Sequence, residues 1–102
     1  MAFDMFFGET EREGIGHHEE FIFPLAQGDE ARYPELAALW REFYGNPRIP
    51  AARANRLVHE LIELLVSNGG AGNKPLTTVV LRLASFFGAA HRTGQDIRCR
   101  SD

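Results

Sequence analysis

A chain of 102 residues, 44% apolar and 25% charged, fits a single soluble domain (1–102) that buries a modest core, and leaves no room for a second one. No apolar run approaches the length of a membrane span, and the opening MAFDMFFGETERE has no basic stretch ahead of an apolar one, which argues against a secretory signal. One cysteine, Cys99, makes no internal disulfide and fits a reducing compartment, so a cytoplasmic location is expected. The net charge of −3 is unevenly spread: residues 1–30 carry eight acids against one base, −7, whereas residues 31–102 carry ten bases against six acids, +4.

In chain order, Ala2–Phe7 is short, aromatic and closed by Gly8, which predicts a strand. Glu9 to Glu20 is charged and holds Gly14 and Gly16, so it reads as an exposed loop. Phe21 to Leu25 is a second apolar run, in which Pro24 restricts the segment to an edge strand or an extended stretch. Residues 1–30 are thus expected to form an acidic extended segment, and residues 31–102 a helical core with a C-terminal strand.

Leu36, Leu39, Trp40 and Phe43 recur at helical spacing and predict a helix over about 34–44, begun by Pro34 and ended by Gly45. The strongest stripe is Ala54, Leu57, Val58, Leu61, Ile62 and Leu65, predicting a helix over 50–68. Leu64 and Val66 widen its apolar arc, while Arg53, Arg56, Glu60 and Glu63 form its polar strip, with Arg56 and Glu60 spaced to pair. Leu76, Val79, Val80, Leu83, Phe86, Phe87 and Ala90 predict a third helix over 75–93, closed by Gly94. In the tail, Ile97 and Cys99 alternate with Arg98 and Arg100 as in a strand. Two lone strands leave backbone groups unsatisfied, so pairing of the two ends is the economical arrangement. The expected fold is mostly α, a three-helix core with short, paired terminal β-strands.

The chemistry-bearing residues form no catalytic motif. His17-His18-Glu19-Glu20 is rich in ligand atoms, but neighbours in extended chain point to opposite sides and no HExxH or C-x-x-C accompanies them. No metal or cofactor is expected. His59, His91 and Glu63 could build a general base if two helices brought them together, the small-enzyme alternative. Cys99 lies between two arginines that face away from it in a strand, which suits a small core side chain rather than a nucleophile. The glycine-rich stretch 69–72 lacks the phosphate-loop pattern. The arginines are interrupted by acids, with no aromatic-interleaved patch, so no nucleic-acid partner is expected, and no membrane partner.

Gly28 to Leu36 leading to Trp40, Phe43-Tyr44 and Asn46-Pro47, together with Leu83 to Phe87, Ala89-Ala90, Gly94, Asp96-Ile97 and Ser101-Asp102, resemble small, mostly helical bacterial immunity proteins. The resemblance implies a protein made beside a secreted or contact-delivered toxin, which it neutralises in the producer's cytoplasm, without enzymatic activity. The acidic segment lies outside it. The contact expected from the charge pattern is with a toxin's basic surface or active site, through Glu9, Glu11, Glu13, His17, His18, Glu19, Glu20, Asp29 and Glu30, with Tyr33, Trp40 or Tyr44 as an aromatic anchor. The alternative is a self-associating structural or regulatory module, such as a homodimer, that covers part of the Phe-rich surface.

Overall fold

Phe3, Met5 and Phe7 alternate with Asp4 and Phe6, which sends three apolar side chains to one face of a strand. The computed structural model describes residues 3–101. In it β1 (Phe3–Phe7) turns back through Gly8 into β2 (Glu11–Ile15), and the φ of +64° at Gly8 is one that glycine adopts without strain. Two-residue β3 (Arg48–Ile49) and C-terminal β4 (Ile97–Ser101) complete an antiparallel sheet of order β2-β1-β4-β3. Phe3 lies opposite both Ile15 and Ser101, so the first and last strands of the described residues pair at the centre of the sheet.

Four helices cover one face: α1 (Ile22–Gln27), α2 (Pro34–Glu42), α3 (Ala51–Ser67) and α4 (Lys74–Thr93). Short 3-10 turns at His17–Glu19, Phe43–Gly45 and Gly70–Gly72 join them. α3 and α4 run antiparallel, with His91 near the end of α4 placing a ring nitrogen 3.2 Å from the Ala51 carbonyl at the start of α3. Asn73 caps α4 by accepting the Leu76 N–H, and Gly94 ends it in the left-handed region at φ +67°. One hydrophobic cluster joins the layers: Phe3, Met5, Phe7, Ile97 and Cys99 from the sheet meet Leu57, Leu61, Leu83 and Phe87 from the helices. Phe3 stacks on Phe43 at 4.4 Å between centroids, and Phe7 meets Phe86 at 5.0 Å.

The mostly helical character and the paired terminal strands agree with the sequence reading. The number of helices does not: there are four among the described residues, because Phe21–Leu25 is not an edge strand but contributes to α1. Pro24 sits in the first turn of that helix, where its missing N–H leaves no bond unmade. Nor is Glu9–Glu20 a loop. Residues 11–15 pair with β1, which supplies backbone partners that a charged segment cannot find alone.

The arc of α3 is also displaced. Ile62 and Val66 are exposed, at 49% and 67%, while Glu60 is buried beside Leu57, Leu61 and Leu64. Its carboxylate accepts the N–H groups of Glu35 (3.0 Å) and Leu36 (2.9 Å), the first-turn donors of α2, whose own N-cap position, Tyr33, supplies no side-chain bond. Arg56, expected to pair with Glu60, instead binds Glu35 at 3.0 Å. Burial pushes the Glu60 carboxyl above its ordinary value, against the two N–H bonds that favour its ionised form.

Candidate functional site

In β2, the sequence Glu-Arg-Glu-Gly-Ile sorts its charges by strand alternation. Glu11 and Glu13 share the side of Ile15, facing the helices, and Arg12 shares the open side with Phe6. Arg82 of α4 gathers what faces it. Its Nη2 donates to Glu19 Oε1 (2.7 Å) and to the Gly14 carbonyl (3.0 Å), and its Nε lies 3.0 Å from Glu13 Oε2. Glu19 is 8% exposed and also accepts the Gly16 N–H at 2.9 Å. The Arg82 hydrogen bond holds the Glu19 carboxyl below its ordinary value, against the effect of burial, and Glu19 in turn raises the guanidinium. One arginine therefore ties the β1-β2 hairpin and the following 3-10 turn to the longest helix.

The acidic segment is mostly spoken for. Beside Glu13 and Glu19, Glu20 lies 3.5 Å from His17 Nδ1, Asp29 lies 3.9 Å from Arg32 and Glu30 lies 2.6 Å from Arg41. Glu9 and Glu11 are exposed and have no ion-pair partner among the described residues. His17 and His18 are exposed beside them in sequence. The expectation that all these carboxylates are solvent-facing loop residues is corrected at Glu13 and Glu19, which Arg82 draws inward, and at Glu20, which is largely buried beside His17. Tyr33 is corrected as well. It is 2% exposed, with Arg32 5.6 Å from its ring centroid, and so offers no accessible anchor. Its hydroxyl is buried without a hydrogen-bond partner among the described residues. Trp40 stacks on Phe23 at 4.8 Å, whereas Tyr44 is 61% exposed.

A shallow cleft of about 300 Å³ lies between β2 and α4, lined by Glu11, Glu13, Arg82, Ser85 and Ala89 among others. The enzyme alternative finds its three residues engaged elsewhere or apart. Glu63 binds Arg32, His91 is exposed and contacts the Ala51 carbonyl, and His59 is exposed on α3. Among the described residues no three His, Cys, Asp or Glu side chains are grouped so as to hold a metal ion, and no helix is long and apolar enough to cross a membrane. Cys99 is buried, and burial pushes its thiol up to about 12, so it stays a thiol at neutral pH.

The open face of the sheet departs from the sequence reading. Arg12, Phe6, Arg98 and Arg48 occupy facing positions on β2, β1, β4 and β3, and Arg100 stands next along β4. Folding thus builds the aromatic-centred arginine patch that the linear sequence lacks. The alternation of Arg98 and Arg100 in the tail was a signal for it. The matching signal in β2 is hidden because Glu9–Glu20 has the composition of a loop when taken alone. No family model, curated protein or solved structure matches this chain.

Proposed function

We propose that the protein is an inhibitor of the immunity type: a binding protein, without catalysis of its own, that neutralises a cognate bacterial toxin in the cytoplasm by presenting carboxylates to a basic surface or active site. The observation that supports this most is the acidic β1-β2 hairpin. Glu9 and Glu11 stand exposed at its turn, and Arg82 ties its base to α4. A charged projection held in place before encounter loses little conformational entropy on binding and accelerates association with a basic target. In this reading Glu9, Glu11, His17 and His18 make the contact, Asp29 and Glu30 add to the field, and Glu13 and Glu19 hold the hairpin in place through Arg82.

The test is the double variant Glu9→Lys/Glu11→Lys, measured for protection of cells expressing the neighbouring toxin gene and for association rate at two ionic strengths. Retained folding, a slower association and a weaker salt dependence are expected. Unchanged protection and rate would remove the hairpin from the contact.

A second reading, self-association, is favoured by three exposed apolar side chains on the α3-α4 pair: Ile62, Val66 and Leu81, the last at 62% exposure. A monomeric mass in sedimentation at high protein concentration would dismiss it.

A further inference from the structure

Among the described residues the helices lie on one side of the sheet, and its other side is predominantly basic. Along the strands that face carries Arg12, Arg48, Arg98 and Arg100 against a single carboxylate, Asp4. Asp96, just before β4, adds a second carboxylate and lies 3.3 Å from Arg48. Arg12, Arg98 and Arg100 have no carboxylate within ion-pair distance among the described residues. Arg98 donates one N–H to the Gly8 carbonyl at 3.2 Å, which leaves most of its fork free.

Register sets these groups in a pattern. Arg12, Phe6, Arg98 and Arg48 form a row across all four strands, roughly 14 Å long at about 4.8 Å per strand. Phe6 is half-buried in the middle of the row, with the Arg12 guanidinium 5.6 Å from its ring centroid. Next to it an open cleft of about 310 Å³ is lined by Phe6, Arg98, Cys99 and Arg100. Guanidinium forks match phosphate oxygens in geometry as well as charge. A flat ring among them is the element that a plain anion does not require. Every nucleobase can stack on such a ring, provided that it is not already stacked in a duplex. An acidic peptide would meet the arginines and leave Phe6 without a matching surface.

We propose that this face binds single-stranded nucleic acid, with a base stacked on Phe6 and successive phosphates held by Arg12, Arg98 and Arg100. The site lies on the side of the sheet opposite the helices and does not depend on the inhibitor reading, whose contact residues are elsewhere.

Fluorescence anisotropy with short labelled oligothymidylate and oligouridylate, a duplex of the same length and a polyglutamate competitor tests it. Either single strand should bind more tightly than the duplex, and polyglutamate should compete poorly. Phe6→Leu keeps an apolar side chain on the strand but removes the stacking plane, and should weaken binding about 5- to 150-fold. Phe6→Tyr should retain it. The exposed arginines allow a variant independent of packing: Arg12→Gln/Arg98→Gln/Arg100→Gln should keep the circular-dichroism spectrum and lower the slope of log K against log salt by about 2, roughly 0.7 for each phosphate. No binding to either strand, equal affinity for the duplex or polyglutamate, or an unchanged salt slope in the triple variant would overturn the proposal. The added lysines of the hairpin variant can only strengthen attraction to phosphates, so a variant that loses toxin protection yet binds oligothymidylate at least as tightly as wild type lets the two readings fail separately.

Discussion

Replacing Arg82 by Met keeps the aliphatic stem that covers the core and removes the guanidinium that joins hairpin, 3-10 turn and α4. The Glu19 carboxylate, 8% exposed, keeps only the Gly16 N–H as a partner. Loss of its charge-assisted bond to Arg82 costs about 1.5–3 kcal/mol, and the bond to the Gly14 carbonyl adds about 1. The Glu13 pair contributes at most about 0.5, because the arginine side chain is 35% exposed and solvent screens it. Water reaching the vacated space offsets part of the sum, so the expected loss is about 2–3 kcal/mol in urea unfolding followed by Trp40 fluorescence. The pH dependence carries a definite sign. Arg82 holds the folded-state pKa of Glu19 below its unfolded value, so the contribution is present above the unfolded pKa and is lost as pH falls through the folded one. The gap between wild type and Arg82→Met should therefore narrow on acidification below about pH 4.5. Glu19→Gln combined with Arg82→Met should cost less than the sum of the single changes. A variant within about 0.5 kcal/mol of wild type at neutral pH, a gap that widens in acid, or strict additivity would refute the node as the hairpin's anchor.

Glu60→Ala should cost about 2 kcal/mol by orphaning the first-turn N–H groups of α2, with loss of amide protection at Glu35 and Leu36 in hydrogen exchange as the specific readout. Its pH signature is opposite in sign: Glu60 has a raised folded pKa, so its contribution is full below the unfolded pKa and declines as pH rises through the folded one, and the gap to the variant should narrow toward neutrality. Cys99 should resist iodoacetamide at pH 8 in the native state and react at a rate that tracks unfolding as urea is added, since its thiol is buried and pushed up to about 12.

Local pattern reaches as far as elements that bury one continuous stripe. α2 and α4 begin at Pro34 and Lys74 and end at Glu42 and Thr93, within two residues of their predicted bounds, because Pro34, Gly45 and Gly94 are local signals. β2 was invisible on the same grounds. Its apolar content is a single Ile15, and only β1 makes Glu-Arg-Glu-Gly-Ile a strand. α1 defeats local pattern because Pro24 and the aromatic run favour strand in isolation, whereas burial of Ile22, Phe23 and Ala26 on one side requires a helix. Glu60 and Arg82 look like ordinary polar-face residues until another element supplies what they bind. For the same reason neither the internal neutralisation of the acidic segment nor the arginine row could be read from the chain. Both depend on which strand lies beside which.

The pairing of β1 with β4 has a consequence for synthesis. With Phe3 opposite Ser101, the central ladder of the sheet closes only after nearly all the described residues have been made. Until then β1 holds a hairpin partner on one side and an open edge on the other, with Phe3, Met5 and Phe7 uncovered by the C-terminal strand. Contacts between such distant residues slow folding relative to a helical bundle of this length, and α3 and α4, local to each other, can form first. A ribosome-bound chain lacking β4 should therefore show helix but bind hydrophobic dyes and chaperones, and emergence of β4 should be the step that makes the protein resistant to proteolysis.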